Sequence, residues 1–138
     1  MTSTAPMSLD ETREVMERYI AAEHGDVSTM ADDVVFRVMA TGDEHRTPAG
    51  VLAMLGYFYH GAFEATAETH KVVFGPGSAV LEADFVGRHI GEFAGVPATG
   101  KDVRVPLCVC YDLRGGKIAE GRIYFEIPAF LAQVAAPG

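Results

Sequence analysis

Arg122, Tyr124 and Glu126 recur at every second position near the C-terminal end of this 138-residue chain, a spacing that sets three polar side chains on one face of a β-strand. The Gly115-Gly116 pair upstream of them marks a two-residue hairpin turn. With those glycines as the loop, Arg114 pairs with Lys117, and the ladder puts Arg122 opposite Val109, Tyr124 opposite Leu107 and Glu126 opposite Val105. The three polar residues then share a face with Val105, Leu107 and Val109, while Ile123 and Phe125 go to the other face with Cys108 and Cys110. A single bulge would move this assignment by one residue. A carboxylate among such apolar neighbours is expensive to keep charged and can work as a base near neutrality. The plain alternative for Glu126 is a strand-end glutamate in solvent or paired with a lysine. Arg122 lies about 13 Å from it along the strand, so the two are not automatic partners.

His89 falls in phase with Leu81, Ala83 and Phe85 on an apolar strand face. There it reads either as an acid or hydrogen-bond donor in a pocket or as a satisfied core histidine. Asp84 shares the other face with Glu82, Val86 and Arg88, which meets water or a partner subunit. Tyr19, Tyr57, Tyr59 and Phe58 sit on helical segments from which they could reach a pocket or simply pack. His24, His45, His60 and His70 show no ligand spacing, and no metal is expected. Cys108 and Cys110 point to one face of a strand about 7 Å apart, too far for an easy disulfide and too few for a zinc site, and read as structural thiols.

The elements that must position these residues follow from period and punctuation. Ser8 and Glu11 form a capping box, and Val15, Met16, Tyr19 and Ile20 recur on one helical face up to the Gly25 stop, giving a helix over 8–24. Asp26 can cap a short helical turn over 26–31. Val34 to Met39 reads as a strand closed by Thr41, Gly42 and Asp43. Thr47 as N-cap and Pro48 at the first helical position open a second helix over 48–62. Strands are expected over 70–74, 79–93, 102–113 and 117–127, and Pro128 starts a short terminal helix through Val134. The order helix, strand, helix and four strands predicts one α+β domain over 1–138, residues 1–7 disordered, with helices packed on a curved sheet around a single pocket.

Composition bounds the function. The chain is 49% hydrophobic and 22% charged, ordinary for a packed domain. Its net charge of −8, with only 11 scattered Lys and Arg, argues against a nucleic-acid groove. No apolar run approaches a membrane span and the N-terminus has no secretory pattern, so the expected location is cytoplasmic.

The stretch Gly87-Arg88-His89-Ile90-Gly91-Glu92-Phe93-Ala94-Gly95-Val96-Pro97-Ala98-Thr99-Gly100-Lys101 resembles the signature of SnoaL-like polyketide cyclases, a G-T-H-x-G-E-x-x-G-x-P-P-T-G-K pattern. Gly116-Lys117-Ile118-Ala119-Glu120, with an acid at Glu126, is similar to that family's G-K-I-x-E followed six residues later by an aspartate. The resemblance implies a cone-shaped, strongly curved, mixed or antiparallel sheet of the nuclear-transport-factor-2-like type, closed by helices over its concave face. It implies a homodimer and a cofactor-free pocket for a small apolar carbonyl compound, polyketide-like or terpenoid-like. Glu126 would be the base of an intramolecular aldol closure, assisted by His89, with Tyr124, Arg122, Tyr19, Val105, Leu107, Val109, Phe58 and Phe85 around the substrate. Glu126 stands where the family carries aspartate, Ala98 replaces the second proline of the loop, and a frequent Trp near Arg122 is missing. Arg122-Ile123-Tyr124-Phe125-Glu126 also resembles the R-x-Y-F-D segment of limonene-type epoxide hydrolases, though no R-x-D accompanies it. A steroid-isomerase-like proton shuttle and a non-catalytic ligand binder or dimeric scaffold are the remaining readings of the same fold.

Overall fold

The computed structural model describes residues 7–22 and 26–135. Helix α1 spans Leu9–Ala21. Its capping box forms as read: the Ser8 hydroxyl accepts from the Glu11 N–H at 3.1 Å and the Glu11 carboxylate accepts from the Ser8 N–H at 3.2 Å. The last residues of the expected helix and the Gly25 stop lie outside the described residues. So do residues 1–6 of the expected disordered segment, but Met7 is buried. The Asp26 cap holds a 3₁₀ turn, Val27–Thr29, by accepting from the Ser28 N–H at 2.9 Å.

Strand β1 (Met30–Val38) turns back into β2 (Asp43–Arg46), a strand that periodicity does not show because all four of its residues are polar and the element lies at the sheet edge. Helix α2 (Thr47–Gly56) continues as one π-turn over Tyr57–Gly61, so the two together cover the expected 48–62. The helix starts at Thr47 itself, with Arg46 at the N-cap position making no side-chain cap bond, and the Thr47 hydroxyl accepts from the Gly50 N–H at 3.3 Å within the first turn. Strand β3 (Phe63–Gly75) begins before the expected 70, because Phe63, Ala65 and Ala67 already alternate inward against Glu64, Thr66 and Glu68. Strands β4 (Ser78–His89), β5 (Asp102–Arg114) and β6 (Lys117–Phe125) complete the sheet, and α3 covers Ile127–Ala135. β4 ends at His89 rather than Phe93, since the Gly91 N–H bonds the Ala62 carbonyl at 2.9 Å and the chain leaves the ladder there.

The open, six-stranded mixed sheet runs β2-β1-β6-β5-β4-β3, with β1 parallel to β6 and every other pair antiparallel. Helices α1 and α2 lie over the concave face, and one hydrophobic cluster joins them to the inward residues of β3 to β6. Among the described residues no helix is long and apolar enough to cross a membrane.

The β5–β6 register corrects the expected one. Gly115 and Gly116, both at positive φ, form the tight turn, and Arg114 pairs with Lys117 and Leu113 with Ile118. The ladder then shifts between Leu113 and Asp112, leaving Ala119 as the extra residue of a bulge, so Asp112 pairs with Glu120, Cys110 with Arg122, Cys108 with Tyr124 and Leu107 with Phe125. The side-chain period is two, so this one-residue shift turns every later β6 residue to the opposite face. Ile123 and Phe125 go inward with Val109 and Leu107, and Arg122 and Tyr124 go outward with the cysteines. Gly121 is the inward residue just past the bulge, where an added Cβ would lie 2.9 Å from the Phe36 ring.

Candidate functional site

Inside the curve of the sheet is a small chamber of about 30 Å³, walled by Tyr19 from α1, Leu55 from α2, Phe58 and Tyr59 from the π-turn, and Leu107, Val109, Tyr111 and Ile123 from β5 and β6. That volume holds one or two waters. The rest of the cone is filled by rings. Phe58 packs against Phe85 at 4.7 Å and Phe125 at 4.9 Å, and Phe63, Phe93 and Phe130 extend the cluster at 5.2–5.5 Å between centroids. A second, larger cavity of about 380 Å³ lies beside the chamber as a groove along β3, the open edge of the sheet. Leu55, Tyr59, Ala67 and Leu81 are walls of both, so Tyr59 stands on the partition. The single expected pocket is therefore divided.

The polar atoms of the chamber are tyrosine hydroxyls. Tyr19 and Tyr111 meet edge to face at 5.7 Å and hydrogen-bond through their hydroxyls. Burial raises both phenols above their ordinary values and pushes Tyr59 up to about 12. All three therefore stay protonated at neutral pH, as hydrogen-bond donors rather than bases. No carboxylate or imidazole lines the chamber among the described residues.

Of the residues expected at the site, Tyr19, Phe58, Leu107 and Val109 line the chamber. Val105 and Phe85 are fully buried in the adjoining core. Glu126, Tyr124 and Arg122 are not at the chamber, because the bulge at Ala119 turns this part of β6 over. Glu126 is exposed just past the end of β6, where its carbonyl accepts from the Ala129 and Phe130 N–H groups at 3.0 and 3.3 Å and so starts α3. A carboxylate there interacts favourably with the positive end of the helix. Tyr124 is 42% exposed. Arg122 is held on the outer face by Asp112 at 2.6 Å and Glu120 at 3.3 Å, which raise its guanidinium further above its ordinary value.

His89 faces inward but belongs to the core. It is fully buried, 5.3 Å from the Phe63 ring and 5.0 Å edge-on from Phe130. Its Nδ1 accepts from the Thr99 N–H at 3.3 Å and lies 3.0 Å from the Thr99 hydroxyl, while its backbone bonds Lys101 and Gly100. The hydrogen-bond network therefore assigns the ring proton to Nε2, which has no hydrogen-bond partner and sits among aromatic rings. An N–H against a ring face is a weak substitute for a hydrogen bond. The His-to-Thr-Gly-Lys spacing of the motif thus works as a latch that fastens the 95–101 loop over the aromatic cluster.

Tyr111 and Ile123 are chamber residues that the reading of polar positions passed over. Tyr111 was visible in phase with Leu107 and Val109, whereas Ile123 follows only from the bulge. Among the described residues no group of three or more His, Cys, Asp and Glu is placed to hold a metal.

On the convex face, Arg104 bonds Asp84 at 2.9 Å and Glu68 at 3.1 Å, and His70 lies 3.1 Å from Asp84. The Arg104 and His70 hydrogen bonds hold the Asp84 carboxyl below its ordinary value. Asp84 ionises more readily folded than unfolded, so it adds stability above about pH 4 that is lost as pH falls through its folded value. Asp84→Asn is expected to flatten this acid limb of the stability curve in urea melts between pH 3 and 7. An unchanged limb would show that the network contributes nothing.

The SnoaL-like polyketide cyclase family model matches residues 13–134. A comparison with curated proteins finds no match. Among solved structures, a candidate SnoaL-like polyketide cyclase from Jannaschia sp. CCS1 superposes with a TM-score of 0.78 at 20% identity, covering 100% of both chains. IdmH, a candidate polyketide cyclase from Streptomyces antibioticus, gives 0.72 at 23% identity over 91% of this chain and 99% of its own. A protein of ketosteroid isomerase-like fold from Catenulispora acidiphila DSM 44928, in complex with trimethylamine, gives 0.72 at 18% identity over 91% and 95%. At these identities the similarity is one of fold.

Proposed function

Because the chain belongs to the SnoaL-like polyketide cyclase family, we propose that it takes a small, largely apolar oxygenated compound at its cavities and holds it through tyrosine hydroxyls. It serves as a binding protein or folding template, with no carboxylate lining the chamber among the described residues. One observation carries this reading: at the inward position of β6 beside the chamber stands Ile123, and the chamber's polar groups are Tyr19, Tyr59 and Tyr111. Aldol closure, epoxide opening and steroid isomerisation each require a group that removes a proton from substrate or water. A protonated phenol of raised pKa supplies a donor to a carbonyl oxygen but does not remove such a proton.

The test uses 2-tetralone, a bicyclic ketone with acidic α-protons. Binding in the micromolar-to-millimolar range, weakened several-fold by Tyr59→Phe, is expected in NMR titration, and α-deuterium exchange in D₂O should proceed at the protein-free rate. Exchange accelerated a hundredfold or more would overturn the binding-only reading. If that acceleration vanished in Glu126→Gln, the cyclase base would be restored. If it vanished only in Glu64→Gln, acid–base chemistry would be placed at the groove. The outer sheet face, with Tyr124 and Val80 exposed and Cys108 and Cys110 half-buried, suits a homodimer within the same reading. Sedimentation velocity of the wild type and Tyr124→Glu would test that pairing.

A further inference from the structure

The two cavities differ too much in size for either to take the ligand equally well. A bicyclic aromatic compound needs well over 100 Å³, and small-molecule sites run from about 300 Å³ upward. The chamber's 30 Å³ cannot admit it without displacing packed rings, whereas the groove's 380 Å³ can. Enlarging the chamber would mean moving Phe58 or Tyr111, each locked by several ring contacts.

The groove also has a chemical direction. Its floor is aliphatic, formed by Ile20, Leu52, Leu55 and Leu81. Its rim carries Glu64, the one carboxylate among its lining residues, 3.8 Å from His60 Nδ1. Arg88 stands opposite Glu64 on β4 but reaches toward Asp102, at 3.5 Å. Further along β3, Thr69 pairs with the inward Ala83, and its hydroxyl can accept a hydrogen bond at the groove. β3 is the last strand of the sheet, so alternate backbone carbonyls face its open edge. A rim of acceptors with one negative charge, on a chain of net charge −8, favours a cationic donor and repels an anion.

Resting on the binding reading above, we infer that the ligand occupies the groove along β3 rather than the interior of the cone, and that it is a flat apolar compound bearing a protonated amine. Its ring lies on Leu52, Leu55 and Leu81, its ammonium group meets Glu64, and only its tip reaches the Tyr59 partition.

Three isosteric probes test this by titration at low ionic strength: 2-naphthylmethylamine, 2-naphthylmethanol and 2-naphthoic acid. The amine is expected to bind about fivefold tighter than the alcohol, the scale of an exposed ion pair, with the acid weakest. The preference should shrink with added salt and disappear in Glu64→Gln, a surface change that leaves the core untouched. Leu52→Trp, which fills the groove, should abolish binding of all three probes. Leu107→Phe, which fills the chamber, should leave it within about twofold. Circular dichroism melts establish that each variant is folded. Equal affinity for amine and alcohol in the wild type, or a preference that survives Glu64→Gln, overturns the inference. Loss of binding in folded Leu107→Phe but not in folded Leu52→Trp also overturns it and places the ligand in the cone. These outcomes leave the binding reading standing as long as 2-tetralone binds, whereas failure of 2-tetralone to bind removes that reading itself.

Discussion

Ile123→Asp is expected to bury a carboxyl group in a chamber that has none among the described residues, at a cost in stability of roughly 2–5 kcal/mol. Ile123 points into the chamber beside Val109 and Tyr111, with the Tyr19 and Tyr59 hydroxyls on the same small space. A carboxyl group there would be desolvated, which favours its neutral form and shifts its titration toward neutrality. The surrounding phenols would offset part of that cost by donating hydrogen bonds to the ionised form. The wild type is expected to leave the α-protons of 2-tetralone exchanging at the background rate. Because the chamber of about 30 Å³ does not admit a bicyclic ketone whereas the groove does, the variant is expected to bind 2-tetralone and still leave its α-protons exchanging near the background rate. NMR measurement of deuterium uptake, beside a urea melt, checks both halves. Acceleration by about 10²–10⁴-fold, the usual contribution of a positioned general base, would put the ketone's α-carbon at the chamber and overturn its placement in the groove. A wild type that already exchanges rapidly would remove the premise.

His89→Ala should cost about 2–4 kcal/mol, even though it removes no group from either cavity. The ring is wholly buried against Phe63 and Phe130, so truncation leaves a void beside the aromatic cluster and takes the acceptor from the Thr99 N–H. His89→Phe separates the two effects. It fills the space but cannot accept the bond, so most of the stability should return while amide exchange at Thr99 becomes fast. A catalytic role for His89 predicts the reverse, with little change in melting and a large loss of turnover. If His89→Ala melts like the wild type, the latch is wrong.

The aromatic cluster explains why so little space is left inside the cone. The floor of the cone is occupied by Phe58, Phe63, Phe85, Phe93, Phe125 and Phe130, whose mutual contacts favour a filled interior. The remaining space is displaced toward β3, where α2 passes into its π-turn. Such turns widen the helix by one residue and recur at functional sites. Here the turn carries Tyr59 and His60 to the groove.

Local chemistry was enough for much of this molecule. The Ser8 and Glu11 capping box, the Asp26 cap, the Thr47 and Pro48 helix start, the Gly115-Gly116 turn and the inward phase of Leu107 and Val109 each depend on residues close along one chain segment. The family motif at Gly87 to Lys101 likewise belongs to the sequence alone, and with it the fold. β2 was not legible, because a polar edge strand lacks the alternation that marks a buried face, and the first half of β3 alternates only through small alanines against polar residues, a weaker signal than Val72 and Phe74 give. The site was decided by tertiary structure. One extra residue at Ala119 reverses the faces of β6, and with a side-chain period of two that reversal moves Glu126, Tyr124 and Arg122 out of the cone and Ile123 into it. Nothing local marks that bulge. It follows from how β6 must pair with β5 on one side and β1 on the other while seating Gly121 beneath the Phe36 ring.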